Sequence, residues 1–297
     1  MYNIDDIKNT VIHGDSEAEL KKIPDESIDC VIIDPPYNLL KHKLDRAFDR
    51  ELIYKELYRV LKNNSFLVVF GSGLQLCKDI VMFNKIGFEV KENGVWVKPN
   101  RSSFLLPLPR QHELFYFLVK GNKGFNKCYI DVFQKCYCSN DFSALERVYN
   151  HLKIAVDTGK ELDIIKLYIY EGVKTFKETF RKSGKLTSSG KEKNNYRKLQ
   201  SIQMLKCGSL QTTVFYIGNE HYHYEHPTQK PLELMSRIVK LVSNEDDIIL
   251  DCFAGSGSTL LGAIKNNRNY IGIEIDKEYY DICCNRIKEH QGLFAGV

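Results

Sequence analysis

The sequence predicts an α/β fold with a mostly parallel sheet and helices on both faces, interrupted by a long insert of different character. Three observations carry this. Short apolar runs alternate with amphipathic stretches over residues 1–120. The same alternation returns over 226–297. Between them, 121–225 shows helical periodicity with no strand alternation. The reading therefore divides the chain into 1–120, an insert over 121–225, and 226–297. The 297-residue length admits either two domains or one α/β domain carrying a large insertion.

The elements follow in order. Thr10–His13 is a predicted strand. Ser16–Lys22 is a short helix, with Ser16 at the N-cap and Glu19 at capping-box spacing. Ile28–Ile33 is a strand. Arg50–Leu61 is a helix, because its apolar residues fall at 52, 53, 57, 60 and 61. Ser65–Phe70 is a strand ended by Gly71. Leu74–Ile86 is a helix closed by Gly87, a usual C-terminal residue. Phe88–Val97 and Glu113–Val119 read as strands. Helices are expected over 142–155 and 161–180. Beyond the insert come a helix at Pro231–Val242, with proline suited to the first turn, and a strand at Ile248–Cys252. A helix at Ser258–Lys265, a strand at Tyr270–Glu274 and a helix at Lys277–Glu289 complete the pattern.

Composition excludes several classes. Hydrophobic residues make up 43% and charged residues 27%, enough apolar material for a real core and unlike a disordered or fibrous chain. No apolar run approaches the roughly 18 residues of a membrane helix, and the first ten residues carry no basic-then-apolar leader. A reducing, cytoplasmic setting is the expectation. Cys30, Cys77 and Cys252 lie in apolar runs, as buried free thiols do. Cys128, Cys136, Cys138 and Cys207 do not form paired CxxC units, and His221, His223 and His226 lack the spacing of a helical zinc site, so no metal is expected.

Charge is uneven. The insert holds 17 basic and 11 acidic residues, while the rest of the chain is slightly acidic. Lys174–Lys198 concentrates nine of the basic residues, among them Lys182, Lys185, Lys191, Lys193, Arg197 and Lys198, around Ser183-Gly184 and Thr187-Ser188-Ser189-Gly190. A solvated surface loop accounts for such a run. Taken alone, the segment favours that reading; contact with nucleic-acid phosphates is the functional alternative.

Two motifs carry chemistry. Asp251-Cys252-Phe253-Ala254-Gly255-Ser256-Gly257-Ser258-Thr259 follows a predicted strand and opens a predicted helix. Its glycines allow a tight turn and close backbone approach to a ligand, and the helix beyond offers unpaired N–H groups. Glu274 closes the next strand, 19 residues after Gly255, where an acid holds a ribose diol. The third glycine of the dinucleotide fingerprint is missing, and nothing demands a pyrophosphate. A nucleoside carrying an amino acid fits, and S-adenosylmethionine is one. Asp15 would receive the adenine amine if Thr10–His13 lies beside Tyr270–Glu274; a plain helix cap is its other reading, and the two roles coexist.

The second motif is Asp34-Pro35-Pro36-Tyr37, directly after the strand Ile28–Ile33. Consecutive prolines stiffen the backbone and have no N–H, leaving carbonyls to accept. One carboxylate, one forced carbonyl and one aromatic face suit a planar exocyclic amine. Asp34 and the Pro35 carbonyl would each accept an N–H, and Tyr37 would stack on the ring. Two acceptors favour the pyramidal, nucleophilic nitrogen as positive charge develops. Phe70-Gly71-Ser72-Gly73 and Arg110-Gln111-His112-Glu113 end or begin strands near the same edge, where pocket lining and plain packing are equally good readings. Trp96 reads as core, and Lys98 has no assigned role.

With these motifs in hand, the chain resembles the DNA amino-methyltransferases, whose hallmarks are a DPPY-type tetrad and an FxGxG loop. The tetrad at 34–37 precedes the insert, and Phe253, Gly255 and Gly257 follow it. That order is similar to the β class. His226-Pro227-Thr228-Gln229-Lys230-Pro231 and Gly272-Ile273-Glu274-Ile275-Asp276 also match the pattern. The resemblance covers about 1–120 and 226–297 and weakens over 121–225. It implies a Rossmann-like S-adenosylmethionine-dependent methyltransferase fold with permuted motif order, a seven-stranded sheet and a mainly helical target-recognition insert. It implies that Asp34, Pro35, Pro36 and Tyr37 form the catalytic tetrad. It places the cofactor on Asp15, Asp34, Asp251, Phe253, Gly255, Gly257, Ser258, Thr259 and Glu274, with Thr228 and Lys230 near its methionine carboxylate. The implied substrate is double-stranded DNA, with the target base flipped out. Similar enzymes are commonly dimers, and some act beside a cognate restriction endonuclease; the sequence decides neither. The setting implied is the nucleoid of a prokaryote, or a phage.

Asp at the first tetrad position favours N6 of adenine over N4 of cytosine, since cytosine enzymes tend to carry serine there. RNA amino-methyltransferases usually place the glycine loop first, opposite to the order here. A DNA-binding regulator on a dead fold would not need Asp34, Tyr37, Gly255 and Glu274 intact. A dehydrogenase would give the tetrad no role.

Overall fold

The computed structural model describes residues 1–36, 47–98, 111–130, 209–218 and 229–294. Contacts divide the chain into two units. One comprises Met1–Cys128 and Thr212–Val297, the other Tyr129–Gln211.

The larger unit is built on eight strands: β1 (Thr10–His13), β2 (Ile28–Ile33), β3 (Leu61–Gly71), β4 (Glu89–Val97), β5 (His112–Lys120), β8 (Val214–Tyr216), β9 (Ile248–Asp251) and β10 (Asn269–Glu274). The spatial order is β1-β10-β9-β2-β3-β5-β4-β8. The pairs from β1 through to β3 are parallel, β5 runs antiparallel to both β3 and β4, and β8 runs parallel to β4. The sheet thus has eight strands, one more than the family resemblance implies. The extra one is β8, a three-residue edge strand with no sequence pattern of its own, held by pairing to β4 and by Trp96 Nε1 donating to Ile217 O at 3.0 Å. Residues 121–128 are also part of this unit; Asn126 N donates to Leu241 O at 2.8 Å and its side chain to Ser243 O at 2.7 Å.

The central strands are continuous apolar runs because both faces are covered. Cys30 and Ile32 of β2 point to one layer, with Phe66, Val68 and Phe70 of β3. That layer packs on helices α5 (Leu232–Val242), α6 (Ser258–Lys265) and α7 (Lys277–Phe294), through Leu234, Ile238, Leu260 and Cys283. Val31, Ile33, Leu67 and Val69 point the other way. They meet α3 (Arg50–Val60) and α4 (Gly73–Ile86) through Ile53, Tyr54, Leu57 and Phe83. Two short helices, α1 (Ile4–Ile7) and α2 (Ser16–Glu19), flank β1, and a 3₁₀ turn at Leu20–Lys22 follows α2.

Local chemistry sets several boundaries. Gly87 ends α4 with φ 124°, a value that favours glycine. Pro231 is the N-cap of α5 rather than its first residue. α2 is capped by Asp15, whose carboxylate accepts from Glu17 N at 3.0 Å. Ser16, expected as the cap, instead donates its hydroxyl to Cys252 O and is buried. Glu19 makes no capping box; it pairs with Lys22 and accepts from the Tyr2 hydroxyl. Cys30 and Cys252 are buried, but Cys77 is exposed. The helical period turns it outward, while Leu76, Asp79 and Phe83 take the inner face of α4.

Of the smaller unit the structure describes an antiparallel ladder of β6 (Tyr129–Ile130) and β7 (Ser209–Leu210). The helices expected over 142–155 and 161–180 lie outside the described residues. No helix among the described residues is long and apolar enough to cross a membrane, and these residues hold no cluster of metal-ligating side chains.

Candidate active site

The parallel registers bring the motif-bearing ends of five strands to one edge. His13 stands opposite Glu274, Gly272 opposite Asp251, Val31 opposite Leu250, and Ile33 opposite Val69. The chain leaves β9 for β10 on one side and β2 for β3 on the other. The β9–β2 junction is therefore a topological switch point, where open α/β sheets form a crevice at the carboxyl ends of their strands. Asp34 leaves β2 and Asp251 ends β9 on the two sides of that junction.

The glycine loop turns between β9 and α6. Gly255 has φ 50° and Gly257 φ 80°. A Cβ at Gly257 would stand 2.6 Å from Cys283 Sγ, so both backbone and space call for glycine there. Asp251 Oδ1 accepts from Phe253 N at 3.0 Å, and the Thr259 hydroxyl also bonds to this carboxylate. Burial pushes the Asp251 carboxyl up to about 7, with Asp34 and Glu274 adding repulsion that the Thr259 and Phe253 hydrogen bonds oppose. Glu274 Oε2 accepts from Gly255 N at 2.7 Å and Oε1 from Asp276 N at 2.8 Å. Burial raises the Glu274 carboxyl as well, against those backbone donors. With the Ile275 amide as a third backbone donor, the carboxylate still keeps acceptor capacity for a ligand hydroxyl. Ser258 Oγ, at the start of α6, is buried with no hydrogen-bond partner among the described residues. An orphaned hydroxyl at a helix N-terminus beside a glycine turn fits a carboxylate-bearing ligand. The donor set thus suits an amino-acid-bearing nucleoside.

Thr10–His13 does lie beside Tyr270–Glu274, the condition set for Asp15. Gly14 N donates to Glu274 O at 3.0 Å, one residue before Asp15. The Asp15 carboxylate caps α2.

On the other side of the junction, Lys230 reaches Asp34. Its Nζ donates to Asp34 Oδ2 and stands 3.3 Å from Glu113 Oε2. Glu113 Oε1 accepts from Lys98, whose ammonium lies 4.8 Å from the Trp96 ring centroid. The Lys230 ammonium lies 5.2 Å from the Phe70 ring. Antiparallel pairing explains the meeting. Gly71 ends β3 opposite Leu114, and Val97 ends β4 opposite His112, so Glu113 and Lys98 join the same edge. Burial alone would lower the Lys230 ammonium, but the Asp34 and Glu113 carboxylates reverse this and raise it. Burial alone would raise Glu113, but Lys230 and Lys98 hold it below its usual range. Lys230 therefore stays a cation here. Its side chain meets the tetrad carboxylate, a partner that the motif spacing did not indicate.

Arg50, the first residue of α3, anchors the tetrad from behind. Nη2 donates to Pro36 O at 2.6 Å, and Nη1 donates to Asp79 Oδ2 at 2.9 Å and to Tyr54 OH at 3.0 Å. Its guanidinium lies 4.6 Å from the Phe48 ring, and Phe48 packs 4.9 Å from Phe253 of the glycine loop. One cation thereby links tetrad and loop. The sequence reading missed Arg50, Asp79 and Phe48. Two signals were present: an arginine in a first helical turn, where the helix dipole disfavours it, and an acid between Leu76 and Phe83 on an apolar face.

Tyr37, Thr228 and the basic residues Lys182, Lys185, Lys191, Lys193, Arg197 and Lys198 lie outside the described residues.

A family model described as DNA methylase matches residues 28–285. Among curated proteins, the chain is 29% identical over 302 residues to the DNA adenine methyltransferase YhdJ of Escherichia coli K12, covering 94% of this chain and 82% of that one. Among solved structures, the M1.HpyAVI–SAM complex superposes with TM-score 0.57 at 20% identity, covering 93% of this chain and 98% of that chain. The cytosine-N4-specific PvuII DNA methyltransferase superposes with TM-score 0.57 at 14% identity, covering 97% and 92%. The two superpositions show a shared fold, and the match over 28–285, which takes in the tetrad, the glycine loop and Glu274, makes this chain a member of the DNA methylase family.

Proposed function

We propose that this DNA methylase transfers the methyl group of S-adenosylmethionine to the exocyclic N6 of adenine, in duplex DNA, after the base is flipped out. The observation that carries the reading is the convergence of Asp34 with the glycine loop and Glu274 across one switch point. YhdJ, named as an adenine enzyme, is the relative that favours adenine. Aspartate at the head of the tetrad favours it too.

The bound cofactor supplies an electrophilic methyl on a sulfonium. Gly255, Gly257 and the first turn of α6 would hold its amino-acid end, with Ser258 Oγ donating to the carboxylate. Glu274 would take the ribose hydroxyls, and Asp15 the adenine amine. Phe253, packed against Phe48, would wall the site. Asp34 and the Pro35 carbonyl would accept the two N–H bonds of the target amine, favouring the lone pair that attacks. Tyr37 would stack on the base. Positioning of this kind supplies much of the rate, and the carboxylate need not be a strong base because the methylated ammonium is acidic. The basic run over 174–198 would contact DNA phosphates, and the insert would read the target sequence. A second copy of this chain and a cognate restriction endonuclease are the further partners this reading allows. The nucleoid is where it would act.

Asp34→Ala tests the tetrad. Methyl transfer to DNA should be abolished while the cofactor dissociation constant barely changes. Near-normal turnover in that variant would refute the assignment.

A further inference from the structure

Four charges stand in a row at the tetrad: Asp34, Lys230, Glu113 and Lys98. Two contacts of Lys230 differ in kind. The one to Asp34 Oδ2 is a full hydrogen bond. The one to Glu113 Oε2 is an ion pair at 3.3 Å without hydrogen-bond geometry, and that oxygen is buried with no hydrogen bond among the described residues. A buried carboxylate oxygen left in that state is costly. It is also a ready acceptor, 3.3 Å from the ammonium.

The arrangement conflicts with the tetrad's work as it stands. Asp34 must accept an N–H of the target amine. Positive charge then moves from the donor sulfonium to that nitrogen. An ammonium still bonded to Asp34 would hold Oδ2 and repel the charge developing beside it. Lys230 stays protonated between two acids, so it cannot resolve the conflict by acting as a base.

We propose that Lys230 is a displaceable counter-ion, held on Asp34 in the free enzyme and handed to Glu113 Oε2 when the target amine enters. Glu113 is then a positioning residue that takes the ammonium off Asp34 Oδ2, and Lys98 fixes its other oxygen. The shift is short and breaks no covalent bond. Before the base arrives, Lys230 keeps the Asp34 carboxylate paired. Afterwards, the same ammonium is paired elsewhere. The proposal rests on the reading of Asp34 as the target-amine acceptor.

The test uses the full chain, S-adenosylmethionine and unmethylated genomic DNA. Single-turnover methyl transfer and the cofactor dissociation constant are measured for Glu113→Gln, Lys230→Met, their double variant and Asp34→Ala. In Glu113→Gln the ammonium meets a neutral amide in place of a carboxylate, so the single-turnover rate should fall about 100-fold while cofactor affinity stays within about twofold. Removing the ammonium as well should recover about tenfold, making the double variant faster than Glu113→Gln alone. A merely structural carboxylate predicts the reverse order. Should Glu113→Gln not fold, the same pair is compared in Glu113→Asp. A double variant as slow as or slower than the single one overturns the proposal, as does a normal rate in Glu113→Gln beside a dead Asp34→Ala. Turnover in Asp34→Ala would instead refute the tetrad reading itself.

Discussion

Asp251 couples the stability of the fold to pH. Its carboxyl ends β9 beneath the glycine loop, is 3% exposed, and is pushed by burial from an ordinary 3.8 up to about 7. The folded chain therefore binds a proton there that the unfolded chain has already released. Between those two values the folded state holds more protons, so stability falls as pH rises and levels off above about 7. At about 1.4 kcal/mol per pH unit, the full interval amounts to about 4 kcal/mol, and the part between pH 5 and 7 to about 3 kcal/mol. Asn at 251 removes the titration and keeps an oxygen for the Phe253 amide. Its new N–H group shifts the variant's stability by an amount that does not depend on pH. The assay is urea unfolding of the cofactor-free protein and of Asp251→Asn at pH 5, 6, 7 and 8. The stability difference between the two proteins should move by about 3 kcal/mol over that range, in favour of the variant at high pH. Subtraction cancels the titration of distant groups. Parallel pH profiles for the two proteins would refute the burial argument.

Two further predictions come from other parts of the molecule. Arg50→Met leaves Asp79 buried without its cation and releases the Pro36 carbonyl; it should destabilise the fold by about 3–5 kcal/mol, and adding Asp79→Leu should recover much of that. Unfolding curves for both variants check it, and unchanged stability in Arg50→Met would contradict the anchoring role. Neutralising Lys182, Lys185, Lys191 and Lys193 together should weaken DNA binding and flatten its dependence on salt. Titrations at several salt concentrations decide the matter, and an unchanged slope returns this run to a solvated surface.

The central strands that build the site were legible because both of their faces are buried. A continuous run such as Ile28–Ile33 leaves little doubt about its place in a covered sheet. The tetrad and the glycine loop were legible because each keeps its chemistry within a few consecutive residues. The meeting of Glu113 with Lys98 was not, since it comes only through the antiparallel registers of β5 with β3 and β4, and Lys230, placed near the cofactor from its motif, reaches them from the residues before α5. β8 escaped for a related reason: three residues carry no periodicity, and only the edge of β4 makes them a strand. Cys77 was misplaced because an apolar run was weighed without its helical phase. Leu74 and Val81 on the same helix are likewise exposed. The short α2 also moved its cap by one residue, because Ser16 had a better partner in the Cys252 carbonyl.

Asp34 and the glycine loop together make this chain a methylase of adenine in DNA. The most direct measurement incubates the purified chain with unmethylated genomic DNA and S-adenosylmethionine, digests the product, and separates the nucleosides by mass spectrometry. N6-methylated deoxyadenosine should form, and should be absent from the Asp34→Ala reaction. N4-methylated deoxycytidine would keep the fold and the site but contradict the choice of base. No methylated nucleoside, from a protein that binds the cofactor, would contradict DNA as the substrate and turn attention to RNA.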